Sequence, residues 1–322
     1  MHGLKYGHFG NLWPEGNFAN LPDPAATDFI PEILTDACIK FMENNRDRPF
    51  LAVLSHYIVH APITPKPGKI AKYQKRQATD QNNPAYAALI ESVDDSVGRV
   101  LESIKNLGLE DDTLVIFTSD HGGWTPKWTS NYPYMGGKSF PFEGGLKVPF
   151  IVKLPGKIKP GTTSAQRIVA MDIYPTLLAA AGLPLRPQQH VDGLDLMPLL
   201  TQGKALKDRP IIFHYPHYTH ATGPFSAIIN NHWKLIRFYN DRRGAYLLYN
   251  LAVDPYEQDN LAATNTEMRD KLIAELDRWL IEMQAEMPLA NPDFKPFNRA
   301  KDLKFTKNLA ERERALFESR LE

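Results

Sequence analysis

The sequence predicts an α/β protein with a mostly parallel central sheet flanked by helices, followed by a small antiparallel sheet with one packed helix. Three observations support this prediction. Helix-like and strand-like segments alternate over the first half of the chain, a long irregular segment follows the second strand, and four short strand-like segments succeed one another after residue 208. Alternation of helices with apolar strands is typical of a parallel sheet that is covered on both faces.

The first helix and the first strand are predicted from two different apolar patterns. Between residues 25 and 45 the apolar side chains recur at helical spacing, which predicts an amphipathic helix. Residues 50–54 (FLAVL) are a continuous apolar run, which is typical of a strand buried on both faces. A helix followed by a buried strand is the first half of an α/β repeat.

The second helix and strand repeat this order. Pro84 is a favourable first-turn residue, and Gly108 is suited to end the helix that it begins. Residues 113–118 (TLVIFT) then predict a second buried strand. The order helix, strand, helix, strand is the reason for predicting a mainly parallel sheet.

Residues 119–147 lack a regular apolar pattern and are rich in glycine and aromatic residues. Compact domains seldom contain irregular loops longer than about 12–15 residues unless the loop is functional. A third strand is predicted over residues 148–152 (VPFIV), and a helix over residues 173–181. The long loop is therefore the first place to look for a site.

The C-terminal part predicts an antiparallel meander. Its strands are residues 211–213, 226–229, 233–237 and 246–249, with turns at residues 230–231 and 241–244 and a helix over residues 266–286. The predicted organisation is thus an α/β domain over residues 1–208, an antiparallel β subdomain with a helix over residues 209–290, and a tail over residues 291–322.

Composition excludes several classes of function. Lys plus Arg and Asp plus Glu both number 37, so no overall charge draws the chain to nucleic acid or to an anionic membrane. No segment reaches the ~18–20 apolar residues of a membrane span, and the first residues lack the apolar core of a signal peptide. The single cysteine, Cys38, excludes an internal disulfide and a multi-thiolate metal site, and its helical spacing predicts a buried side chain.

Asp120 and His121 follow the second predicted strand and precede two glycines. Ligands of open α/β sheets gather beyond the carboxyl ends of the strands. A carboxylate and an imidazole at that position suit a metal ion. A cap-forming aspartate beside a surface histidine is the alternative interpretation.

Three further polar residues stand in loops after predicted strands. His56 and His60 follow the first strand, where they suit anion contact or proton transfer near neutral pH, although a single histidine is often structural. Lys138 lies on a glycine-rich turn (GGKS), where its ammonium can approach a small anion. The spacing of this turn differs from that of a P-loop.

Taken together, these segments resemble the sulfatase family of the alkaline phosphatase superfamily, and in particular the C-terminal two-thirds of a bacterial member. The matching segments occur in family order from about residue 30 to 262. They are residues 117–122 (FTSDHG), 137–149 (GK…EGGLKVP), 60–62 (HAP, with Ile63 in place of a second histidine), 172–178 (DIYPTLL), 192–196 (DGLDL) and 249–257 (YNLAVDPYE).

The resemblance implies an alkaline-phosphatase-like fold and specific roles. Asp120 and His121 would be two ligands of a divalent cation, above all Ca²⁺. Lys138 would contact the sulfate oxygens, and His60 would contact the sulfate and help to protonate the leaving oxygen. Residues 214–218 (HYPHY) resemble a segment lining the substrate mouth of carbohydrate-directed members, so that His214 and His217 would bind substrate, unless they are simply part of a strand-end turn.

The resemblance also implies a formylglycine nucleophile, which the family makes from Cys or Ser in a C/S-x-P-x-R motif. Cys38 is followed by IKF, and residues 139–143 (SFPFE) end in glutamate, so neither matches. We therefore expect a chain that is N-terminally incomplete relative to the family. Alone, it is expected to hydrolyse no aryl sulfate and to self-associate through exposed sheet edges.

The implied substrate is a sulfated carbohydrate or an aryl sulfate, and family members are usually secreted or periplasmic. Two other functions remain open at this point. One is a phosphodiesterase or phosphonate hydrolase of the same superfamily. The other is a non-catalytic glycan-binding remnant.

Overall fold

The computed structural model describes residues 21, 28–77, 81–124, 129–219, 222–239, 246–289 and 292. Its helices and strands, in chain order, are α1 (Ile30–Asn45), α2 (Pro67–Gln74), α3 (Pro84–Asn106), β1 (Val115–Thr118), α4 (Glu143–Leu146), β2 (Phe150–Lys153), α5 (Ile173–Ala180), α6 (Met197–Gln202), β3 (Ile211–Tyr215), β4 (Phe225–Asn230), β5 (Trp233–Phe238), β6 (Tyr246–Asn250) and α7 (Thr266–Glu282). They form two compact units, residues 1–117 with 151–206 and residues 118–150 with 207–322.

In the first unit, α1 and α2 both pack on α3. The side chain of Asn83 caps α3 by accepting a hydrogen bond from the backbone N–H of Tyr86, and Pro84 stands in the first turn as predicted. Lys72 Nζ in α2 lies 2.8 Å from Glu91 Oε2 in α3, and Lys69 pairs with Asp95 one turn further on. The predicted helices of this region are therefore confirmed.

The predicted strand over residues 50–54 is wrong. The segment forms no strand, and Leu51 and Val53 are 63% and 76% exposed. The other two predicted strands form β1 and β2, which pair with each other, yet Ile151 is 62% exposed. An apolar segment is buried only where other elements cover it. The described residues leave Leu51, Val53 and Ile151 largely exposed. The mainly parallel central sheet therefore stays a prediction.

The buried carboxylate of Asp172 connects two of the family-like segments, residues 172–178 and 192–196. The Asp172 side chain accepts hydrogen bonds from the backbone N–H groups of Val169 (2.9 Å) and Leu194 (2.8 Å). The Thr176 hydroxyl donates to the Asp172 carbonyl and accepts from the N–H of Leu196. Asp172 thus ties the start of α5 to residues 192–196, and its role is structural.

The second unit contains the predicted antiparallel meander, with strand order β3-β4-β5-β6. The tight β4–β5 turn consists of Asn231 and His232, one residue later than predicted, because Asn230 still pairs with Trp233. Asn231 has a φ of 52°, which asparagine tolerates. The predicted turn over residues 241–244 and nearly all of the tail over residues 291–322 lie outside the described residues. The meander and α7 are confirmed.

Alternating side chains give this sheet two buried faces. On one face Ile228, Leu235 and Leu248 pack against Leu272, Leu276 and Leu280 of α7. On the other face the sheet packs against the aromatic side chains of the long loop, through Phe140 and Phe142. The loop therefore belongs to the C-terminal unit, whereas the sequence placed it in a domain ending at residue 208.

Two smaller expectations can be compared with the structure. Cys38 is half-buried rather than fully buried, and burial raises the pKa of its thiol. Among the described helices, none combines the length and the hydropathy needed to cross a lipid bilayer.

Candidate anion and cation site

Asp120 and His121 follow β1 after one intervening residue, Ser119, as the sequence predicts. The Nδ1 atom of His121 lies 2.8 Å from the carbonyl oxygen of Gly122. A carbonyl can only accept a hydrogen bond, so Nδ1 carries the proton and Nε2 presents a lone pair in the neutral ring. Nε2 lies 3.1 Å from Asp120 Oδ2. Two electron-pair donors at this separation need a proton or a cation between them.

This donor set fits a divalent cation only in part. The Asp120 side chain is 81% exposed and the His121 side chain 39%, so both can be reached by an ion. A carboxylate oxygen and an imidazole nitrogen are suitable ligands. Within the described part of the chain, however, no group of three or more His, Cys, Asp or Glu side chains is placed to hold a metal. The described residues therefore offer two candidate ligands, and the metal site stays a prediction.

Backbone hydrogen bonds hold the Asp120–His121 segment against the Lys138 loop. The N–H of Gly122 donates to the carbonyl of Gly145 (3.0 Å), and the N–H of Lys138 donates to the carbonyl of Gly123 (3.0 Å). The approach is so close that a Cβ on Gly122 would lie 1.7 Å from the carbonyl oxygen of Gly144. Only glycine fits there, which explains the glycine pair after His121.

Asn131 strengthens the same junction. Its Oδ1 accepts from the N–H of Gly123 at 3.1 Å, while its Nδ2 donates to the carbonyls of Gly123 (2.9 Å) and Gly136 (3.0 Å). One amide side chain therefore fixes both segments. Asn131 could not be singled out from the sequence, because a lone asparagine in a loop has no distinctive spacing.

Lys138 lies half-buried at the tip of this loop. In the described part of the chain its ammonium forms no ion pair with a carboxylate. Its neighbours Phe140 and Phe142 are buried against β4, β5 and β6. The loop is anchored, and the cationic end of Lys138 is available to an anion.

An aromatic turn after β3 adjoins the same loop. Tyr215, His217 and Tyr218 are exposed, and the Tyr215 ring stacks on Phe225 with 6.0 Å between centroids. Thr222 Oγ1, at the end of the turn, lies 3.4 Å from the carbonyl of Ser139, the residue after Lys138. Exposed aromatic faces suit contact with a sugar ring.

His214, the other predicted substrate residue, lies on the opposite side of the sheet. It pairs with Ser226, and its Nδ1 is 2.7 Å from the Ser226 hydroxyl, while Nε2 is 2.7 Å from the carbonyl of Glu286 beyond α7. Both ring nitrogens are thus used within the C-terminal unit. The tertiary structure gives His214 a structural role, and substrate binding by His214 stays a prediction.

The two histidines of the first unit differ in environment. His60 is exposed, and its Nδ1 lies 2.7 Å from the carbonyl of Ala61, which leaves Nε2 as the nitrogen that can give or take a proton. His56 is half-buried with Nε2 2.8 Å from the Ser96 hydroxyl, and burial lowers its pKa. Of the pair, His60 has the exposure that a reacting group needs, and His56 is structural.

Comparison with known proteins identifies the family. The model of the Sulfatase family matches residues 5–183. The chain belongs to the sulfatase family. A second model, described as the C-terminal part of N-sulphoglucosamine sulphohydrolase, matches residues 134–286.

Several relatives of this sulfatase illustrate the family's range. A sulfatase of Formosa agariphila is 32% identical over 80% of the chain and 51% of its own length, and rat N-acetylgalactosamine-6-sulfatase is 30% identical over the same shares. Human steryl-sulfatase is 34% identical over 64% of the chain and 35% of its own length. The chain thus spans about half the length of the curated relatives it matches, or less.

Solved structures show the same fold. The crystal structure of Ps i-CgsB in complex with k-i-k-neocarrahexaose superposes with a TM-score of 0.72 and 25% identity, covering 92% of this chain and 64% of that one. The chain therefore has the α/β fold of sulfatases, and its described residues include a four-stranded antiparallel sheet.

Proposed function

We propose that this sulfatase binds the sulfate group of a sulfated carbohydrate and, in a complete active site, takes part in hydrolysis of the ester. The observation that carries the proposal is the junction described above. Two backbone hydrogen bonds hold the Lys138 loop against the Asp120–His121 segment. The segment that carries Lys138 is thereby held against the segment that carries the carboxylate–imidazole pair, an arrangement that suits an anion with a neighbouring cation.

Each residue then has a defined task. Lys138 neutralises the non-bridging oxygens of the sulfate, on which negative charge is concentrated. The family resemblance, and not the geometry of the junction, assigns to His60 the contact with the sulfate and the donation of a proton through Nε2 to the leaving oxygen as the ester bond breaks. Asp120 and His121 supply two ligands of a divalent cation, Ca²⁺ above all, which would add positive charge near the sulfate. The described residues offer only part of the ligands that such a cation needs.

The carbohydrate is proposed from the aromatic turn and from the relatives. Tyr215 and Tyr218 expose their rings after β3, with His217 between them in the sequence, and the nearby Thr222 contacts Ser139 of the Lys138 loop. Among the relatives, one is named for an N-acetylgalactosamine sulfate and one structure holds a neocarrahexaose. Human steryl-sulfatase acts, by its name, on a steroid sulfate, so an apolar sulfate ester is the second candidate.

None of the residues with a proposed role is the nucleophile. The 322 residues contain no C/S-x-P-x-R motif, which the family needs for its formylglycine. We therefore expect the purified chain to bind sulfate esters without turning them over. Release of sulfate from an aryl ester by the chain would contradict this expectation.

The test is a calorimetric binding measurement with inorganic sulfate and with a sulfated and an unsulfated form of one monosaccharide. Lys138→Ala is expected to weaken sulfate binding at least about tenfold, since a charge-assisted contact is worth roughly 1.5–3 kcal/mol. Lys157→Ala removes an exposed lysine of the first unit and serves as the matched control. Equal affinity of Lys138→Ala and the wild-type chain would reject the sulfate site. Tighter binding of inorganic phosphate than of sulfate would favour a phosphoester substrate.

A further inference from the structure

A fully buried lysine lies inside the C-terminal sheet, on the face that contacts the long loop. Lys234 is in β5, and its Nζ lies 2.9 Å from Glu143 Oε1 and 2.7 Å from Glu257 Oε1. Glu257 is also fully buried, and Glu143 is nearly so. The backbone N–H of Glu143 donates to Glu257 Oε2 at 2.6 Å. We call these three side chains the charged triad.

Stability alone does not account for the charged triad. Withdrawing three charges from water costs free energy that their mutual attraction often only offsets, and apolar side chains of similar size usually serve a core as well. The next residues of β5 on the same face, Ile236 and Phe238, are apolar and buried. A charged group in this place is better explained by the unique geometry that directional ion pairs impose.

What the charged triad fixes is the base of the long loop. Glu143 is the first residue of α4, and the carbonyl of Gly145 in the same helix accepts the N–H of Gly122. Five residues before Glu143, the N–H of Lys138 bonds to Gly123. A shift of Glu143 would therefore move both segments of the site, through backbone contacts that leave no free space.

We propose that Lys234, Glu143 and Glu257 are positioning residues, which clamp the base of the Lys138 loop to the C-terminal sheet and so set the distance between Lys138 and the Asp120–His121 segment. The idea deepens the proposed function and rests on it for the identity of the anion. None of the three residues touches the substrate. They act through the loop.

A matched control exists on the same strand. Arg237, three residues after Lys234, is on the other face of the sheet and pairs with Asp277 of α7 at 2.7 Å. Lys234→Met and Arg237→Met each remove one cation of β5 from an ion pair. A general loss of stability would follow from either substitution, whereas only Lys234→Met disturbs the loop.

The experiment compares the wild-type chain with Lys234→Met, Arg237→Met and Glu143→Gln. The Glu143→Gln substitution keeps the shape of the side chain and weakens its pairing with Lys234. Hydrogen exchange is measured by mass spectrometry in the peptides over residues 117–124 and 134–147. Calorimetry measures the affinity for inorganic sulfate, and both measurements are made well below the melting temperature. We expect faster exchange in both peptides and about tenfold or greater loss of sulfate affinity for Lys234→Met, since small displacements of a binding group have large effects. Glu143→Gln should show the same changes to a smaller extent, and Arg237→Met neither.

Each outcome distinguishes the two proposals. If folded Lys234→Met matches the wild-type chain in exchange and affinity, the positioning role is rejected. If Lys234→Met does not fold, the same two measurements on Glu143→Gln decide the matter, and wild-type values there reject the role. Should the wild-type chain itself fail to bind sulfate, the proposed function fails. The positioning role is then judged on exchange alone, where equal rates for Lys234→Met and Arg237→Met would overturn it.

Discussion

The long loop over residues 119–147 and the apolar segment of residues 50–54 differ in burial, and in the opposite sense to that expected from their sequences. Residues 50–54 look like a core strand, yet Leu51 and Val53 are largely exposed. The loop has no regular apolar pattern, yet Phe140 and Phe142 are buried and its turns are held by backbone hydrogen bonds. Burial therefore depends on which elements pack against a segment, and only indirectly on the apolar content of the segment.

The largest contrast is expected between two leucines. Leu248 of β6 is fully buried between its neighbours and α7, so Leu248→Ala should destabilise the second unit by about 2–5 kcal/mol. Leu51→Ala should change stability by no more than about 0.5 kcal/mol, because an exposed side chain loses little on truncation. Urea unfolding followed by tryptophan fluorescence reports on both. Equal effects of the two substitutions would show that Leu51 is covered in solution.

The same exposed segment bears on self-association. Replacing Leu51 and Val53 together by serine should lower the sedimentation-average mass of the chain if contacts through this segment hold copies together. An unchanged mass would remove residues 50–54 from any such interface.

Next in size is the glycine contact inside the site. Gly122→Ala should cost about 3 kcal/mol or more, because its Cβ would overlap the backbone of Gly144, which has no flexible side chain to yield. Gly98→Ala in α3 meets no atom within 4 Å and should stabilise its helix by about 0.5–1 kcal/mol. Thermal melts of the two variants provide the comparison. Tolerance of Gly122→Ala would contradict the close approach of the two segments.

The smallest expected effect is a pH dependence of the second unit. Burial raises the pKa of Glu257 from 4.5 to about 7, against the opposing influence of Lys234, while the charge of Glu143 adds to the rise. Between these two values the folded chain keeps a proton that the unfolded chain has lost, so this contribution to stability falls as pH rises and is constant above about 7. Melting temperatures from pH 5 to 8 should show a shallower slope in Glu257→Gln than in the wild-type chain. Parallel slopes would show that Glu257 does not titrate in this range.

Much of the fold could be predicted from local patterns. Helix α3 starts at Pro84 and the four strands of the meander lie where alternating residues and turns placed them. Such elements are predictable because their spacing and caps are encoded within a few residues. The strand over residues 50–54 could not be judged in this way, since a partner elsewhere in the chain decides whether an apolar run becomes a strand.

The site was predictable to a similar degree. Asp120, His121 and Lys138 stand out by their position after strands and by the glycines around them, and the structure places their segments in direct contact. His60 stays a prediction as the proton donor. His214 was assigned from the resemblance of residues 214–218 to a substrate-mouth segment. Its register in β3 instead brings its ring to Ser226 and to the carbonyl of Glu286, and a sequence resemblance does not fix that register.

The residues alone were enough to identify a sulfatase with a glycine-rich loop carrying Lys138, after a strand that ends in Asp120 and His121. How that loop is held could be learned only from the tertiary structure. Glu143, Lys234 and Glu257 come from three distant parts of the chain, and no local spacing connects them. They meet because the loop packs on one face of the meander, where a buried charge must find partners or become too costly to bury.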